Sequence, residues 1–180
     1  MSPVDLSCRF DPLGDTYRCL QDEASVRSVI AMEAWQIRER CFHEDVVFRV
    51  GALDLSQRVA VPVLDLAMTL EFAVKMLAMN GAATVDSPGS SRTIGLVRSG
   101  NAVAVSLSPA GGTSECSFAD LAQAVGLFLR DVMDDLTEIC PDLLLNNEIE
   151  RLFRSSGAIY LGRDQSLRHD RAVRMKHGRL

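Results

Sequence analysis

The densest run of reactive side chains in this sequence is Cys41-Phe42-His43-Glu44-Asp45. If that run is a strand, Cys41 and His43 point to the same face, as a thiolate nucleophile and its activating base do. The bland alternative is a buried cysteine beside a surface histidine at a strand edge, and it is the commoner arrangement. As a metal site the run offers one Cys and one His with no second pair elsewhere, whereas structural zinc takes four ligands. No metal and no cofactor are therefore expected. His169 and His177 lie in an Arg-rich terminal segment and make no convincing site.

A second group carries charge rather than nucleophiles. Asp131, Asp134, Asp135 and Glu138 recur at i, i+3, i+4 and i+7, which is one stripe of a helix. Like charges at this spacing repel, and acids near a helix C-terminus oppose the helix dipole. The stripe thus costs stability. It reads either as a solvated face that keeps an acidic protein soluble or as a docking surface for a basic partner, where charge complementarity raises the rate and specificity of association.

The motifs whose spacing alone names a reaction are missing. There is no G-x-x-x-x-G-K-[ST], G-x-G-x-x-G, H-E-x-x-H, G-x-S-x-G or EF-hand pattern. No catalytic residue is assigned, and the enzyme reading rests on Cys41 and His43 alone. It expects Cys41 to be partly exposed with a depressed pKa.

The elements that must position these residues are legible in part. From Asp45 the run Asp-Val-Val-Phe-Arg-Val-Gly is β-branched and aromatic, and with a turn over 51–54 and a return along Ser56–Val61 it predicts a first hairpin. After Pro62, Val63, Leu66, Ala67, Leu70, Val74 and Leu77 keep a helical period, with Glu71 and Lys75 as an i,i+4 pair and Gly81 just past the end. Residues 84–91 are small and polar with Pro and Gly, and read as a loop. The runs 93–98 and 102–107 flank Ser99-Gly100-Asn101 and predict a second hairpin. Residues 109–114 read as another loop.

Ser117 followed by Asp120 opens a long helix that Pro141 closes. Its apolar stripe is Leu121, Val125, Phe128, Leu129, Val132, Leu136 and Ile139. A shorter helix is expected over about 148–154. In the N-terminal third, Ala24–Cys41 fits neither period cleanly, and the reading is helix early, then a strand over Trp35–Phe42 pairing with Val46–Val50. Together these predict an α+β fold, an antiparallel sheet built from hairpins with two main helices packed on one face.

Composition bounds the rest. The chain has 180 residues, 47% of them hydrophobic and 24% charged, which is ordinary globular usage and enough for one core. Five cysteines without a C-x-x-C pair suit buried reduced thiols in the cytoplasm. No secretory leader or membrane span is expected. From Arg163 to Leu180 six basic residues stand against Asp164 and Asp170, a net +4 that leaves −9 of the overall −5 on residues 1–162. The organisation expected is thus one domain over 1–162 and a mobile basic tail over 163–180. An acidic body is a poor nucleic-acid binder and suits a basic protein partner.

The run from Phe48 to Ser56, then Val61-Pro-Val-Leu-Asp-Leu-Ala-Met-Thr-Leu, then a hairpin and a long amphipathic helix, resembles small bacterial immunity proteins encoded beside polymorphic or contact-dependent toxins. The resemblance spans Asp45 to Ile139 and lies in the arrangement of elements. It implies a catalytically inert cytoplasmic protein that occludes one toxin, such as a nuclease or deaminase, and it carries over no site residues. The partner-binding residues are therefore those of the stripe, Asp131, Asp134, Asp135 and Glu138. A third reading, a self-associating structural module, expects an exposed apolar patch.

Overall fold

The fold was derived from a computed structural model that describes residues 1–56, 59–86, 92–109 and 111–157. The expected tail over 163–180 lies outside the described residues. The chain opens on a strand, β1 (Val4–Cys8), in which Val4, Leu6 and Cys8 turn inward and Asp5 and Ser7 outward. It pairs antiparallel with β3 (Val46–Val50), setting Leu6 opposite Phe48 and Cys8 opposite Val46. Three short helices intervene: α1 (Asp15–Cys19), α2 (Glu23–Ile30) and α3 (Ala34–Arg40).

Here two expectations are corrected. Trp35–Phe42 is not a strand, because residues 34–40 form α3. Gln36 starts this helix by accepting the Glu33 backbone N–H through Oε1 at 3.0 Å, and Ile37 is fully buried. Nor do the described residues of the return arm, 56 and 59–61, pair along β3. That partner is β1, and β4 (Leu53–Asp54) covers only the last two residues of β3. The ladder stops because Ser56 folds back, its hydroxyl accepting the Phe48 N–H at 3.0 Å while Asp54 accepts the Ser56 N–H at 3.0 Å. Val61–Pro62 (β5) pairs instead with His43–Glu44 (β2).

Helix α4 (Val63–Asn80) buries Val63, Leu66, Ala67, Leu70 and Leu77 of the positions its period predicts, with Val74 half-buried, and ends on Gly81 at φ 73°. Lys75 and Glu71 pair at 2.9 Å. The second hairpin, β7 (Thr93–Ser99) and β8 (Ala102–Ser108), turns at Gly100 with φ 62°. It is wider than expected. Both flanking loops contribute strands, β6 (Ala82–Asp86) and β9 (Thr113–Ser117), giving the order β6-β7-β8-β9. Small side chains hid these strands: of β6 only Val85 is buried, so the alternation that marks a strand has one apolar member.

The inner face of this sheet, with Val85, Ile94, Leu96, Val103, Val105 and Cys116, joins one core with α4 and α5 (Phe118–Ile139). Ser117 caps α5, its hydroxyl accepting the Asp120 N–H at 2.9 Å. Helix α5 also packs on β1, and it passes through a 3-10 turn (Pro141–Leu145) into α6 (Asn147–Ser156). The architecture is α+β, with antiparallel sheets and the two long helices packed together over them. Among the described residues no helix is long and apolar enough to cross a membrane.

Candidate functional site

The Cys41/His43 pair does not form a nucleophile and base. Cys41 closes α3 instead of lying on a strand, and Phe42 between them takes φ 57°, a left-handed conformation that reverses the chain and breaks the alternation the pair needs. The Cys41 thiol is buried against the Met32 sulfur at 3.5 Å, and burial first, then Cys19, push its pKa up. A nucleophilic cysteine needs the opposite environment. Burial likewise raises Cys116 and Cys140, whereas Cys19 is exposed and Cys8 half-buried, against the expectation that all five thiols are buried. Alkylation of the folded protein by iodoacetamide is therefore expected to modify Cys19 first, with Cys41, Cys116 and Cys140 reacting only on unfolding. Rapid labelling of Cys41 by mass spectrometry would contradict its placement.

The acidic stripe is formed as the sequence predicts, but its members differ. Asp131 and Glu138 are exposed, and Asp134 and Asp135 are half-buried. Between them Thr137 is buried, its hydroxyl bonding back within the same helix to the Met133 carbonyl at 2.8 Å. Arg130 Nε lies 3.8 Å from Asp131. The Asp135 carboxyl is pushed above its ordinary range by burial first, and then by Asp131, Glu138 and Asp134, all in the same direction.

Tertiary packing then adds acids from elsewhere. Cys8 on β1 is pushed up to about 12 by burial, followed by Glu44, Asp135 and Asp45. One thiol thus senses carboxylates from both α5 and the β2–β3 junction. Glu44 is 3% exposed; its Oε2 accepts the Asp11 N–H at 3.3 Å and its Oε1 is buried with no hydrogen-bond partner among the described residues. Asp45 beside it is exposed. The 41–45 run and the helix stripe thus both lie within electrostatic reach of Cys8, although the acids that shift Asp135 itself are all on α5. The role of Asp45 was missed because nothing in the sequence ties it to a helix ninety residues later; the Val4-Leu6-Cys8 alternation of the connecting strand was the available signal.

A titration test isolates this region. The folded-state pKa of Asp135 lies above its ordinary 3.8, so its contribution to stability is full below pH 3.8 and is lost as pH rises through the folded value. Asp135→Asn keeps the side chain neutral at every pH. Its melting temperature is expected to match the wild type at acid pH and to exceed it by about 1–2 °C near neutrality, the modest size reflecting solvent screening of a half-exposed group. Thermal melts of both proteins across pH check this.

Among the described residues no group of three or more His, Cys, Asp and Glu side chains is placed to hold a metal ion. No protein-family model matches the chain, nor does any curated protein or solved structure.

Proposed function

We propose that this chain is a protein-binding domain whose acidic region docks a basic protein, and that it acts as an immunity protein neutralising a cognate toxin such as a nuclease or deaminase by occluding it. The observation that carries the docking reading is the electrostatics of Asp135. Burial and three carboxylates raise its pKa, so the native structure maintains an arrangement that opposes its own charge. A cationic side chain from a partner relieves that repulsion, and the relief appears as affinity and association rate. The choice of a toxin as partner rests on the likeness in element arrangement to immunity proteins.

Affinity capture with the tagged full chain, co-expressed with the product of a neighbouring gene, tests the reading. A stoichiometric complex and protection of cells from that product are expected. Failure to bind or protect against any adjacent toxin sinks the immunity role.

A further inference from the structure

Helix α4 packs its apolar stripe on the core, yet its outer face is apolar too. Phe72 is 62% exposed and Met79 is 79% exposed, with Met76 half-buried on the same side and Met68, partly packed against the core, at the N-terminal end of the row. These residues follow i, i+4, i+8 and i+11, one continuous stripe about 16 Å long at the helical rise. Along one edge of it run Glu71 and Lys75, already paired at 2.9 Å. Isolated exposed apolar residues are ordinary, but a Phe and three Met on one helix face form a contiguous surface of the kind that marks an interface.

We infer that this face pairs with the α4 face of a second copy of the chain in an antiparallel, two-fold arrangement. The charges on the stripe select that occupant. Residues 1–162 carry a net −9, yet beside positions 72, 76 and 79 the charges of α4 are one acid and one base a turn apart, its other acid, Asp65, lying half-buried in the first turn. A two-fold axis crossing α4 near Ala73 keeps the charged edges together and reverses their direction. It sets Glu71 against Lys75 of the second copy and Lys75 against its Glu71, while Met68 lies beside the other Met79 and Phe72 packs between the other Phe72 and Met76. The surface is thus complementary to itself, the property a two-fold interface requires. A single helix face makes a small interface, so the association is weak and depends on concentration. It uses a different helix from the acidic docking region and does not rest on that reading.

Sedimentation equilibrium of the full chain is the test, with a monomer–dimer equilibrium expected at concentrations up to about 100 μM. Phe72→Asp, at an exposed position, is expected to weaken dimerisation at least about tenfold with an unchanged far-UV circular dichroism spectrum. Glu71→Lys and Lys75→Glu alone each set like charges against each other and weaken it as well. An equimolar mixture of these two variants restores both opposite-charge pairs, and a heterodimer is expected. A wild type that remains monomeric throughout overturns the proposal, as does a dimer insensitive to Phe72→Asp or a mixture that fails to restore association. A monomer that loses thermal stability on Phe72→Asp overturns it too, by showing that the chain covers this face itself.

Discussion

Replacing Asp134 and Asp135 together by Asn is expected to slow association with the basic partner, flatten the salt dependence of that rate, and weaken binding by about 1.5–7 kcal/mol for each close charge pair lost. The fold is expected to survive. Asp135 is held above its ordinary pKa by burial and by three carboxylates, so removing its charge relieves repulsion. The helix beneath remains fixed by its buried apolar stripe, which does not use the two carboxyl groups. Lost binding in a protein whose melting temperature holds or rises slightly therefore reports the surface and not the fold. The diagnostic measurement is stopped-flow association at low and high salt. An interface built on charge shows its largest deficit at low salt, where the Debye length is longest. If the double variant associates at the wild-type rate at low salt, the stripe is not the docking face, and its carboxylates serve solubility alone. Asp45→Asn separates the helix from the wider region, because a partner that also reads Asp45 loses further rate in the triple variant.

The legibility of this fold follows the size of the side chains. Helices α4 and α5 were readable to within a residue or two because their buried positions are large and apolar and repeat with the helical period over five or more turns. Strands β7 and β8 were readable from strict alternation around Gly100. Strands β6 and β9 were not, because their residues are mostly Ala, Thr, Ser and a single buried apolar or cysteine side chain; the ladder to β7 or β8 supplies the order that composition does not announce. Helix α3 was misread for a different reason. Trp35 and Ile37 lie two apart and imitate a strand, yet Trp35 remains 45% exposed with the Arg40 guanidinium over its ring, so only Ile37 belongs to the core. The candidate site was half legible. Local spacing gave the helix stripe, but the junction with Glu44 and Asp45 exists only because β1 pairs with β3 and packs on α5, two contacts between segments far apart in sequence.

Asn146 is a residue whose importance no local pattern announces, and Asn146→Ala is expected to be among the most damaging polar substitutions in the protein. The side chain is 4% exposed and spends its whole amide on the fold. Its Oδ1 accepts the N–H groups of Glu148 and Ile149 at 2.9 and 3.3 Å, capping α6. Its Nδ2 donates to the carbonyls of Ile30 at 2.9 Å and Met32 at 3.0 Å, at the end of α2 and just beyond it. One side chain thus ties the start of the last helix to a turn more than a hundred residues earlier. Alanine removes the cap and leaves two carbonyls in this part-buried junction without their donor. Loss of a cap costs about 1 kcal/mol and a stranded buried polar group about 1–3, so a loss of about 2–4 kcal/mol is expected, read by urea denaturation. Asn146→Asp separates the two roles. It keeps the capping acceptor but sets a carboxylate against two carbonyl oxygens, and is expected to cost as much as Ala or more. Asn146→Ser keeps a cap and loses only the long-range donors, and should fall between Ala and the wild type. If Ala and Ser are equally mild, below about 1 kcal/mol, water reaches both carbonyls and the tie between α6 and the α2 turn is not what holds the C-terminal helix in place.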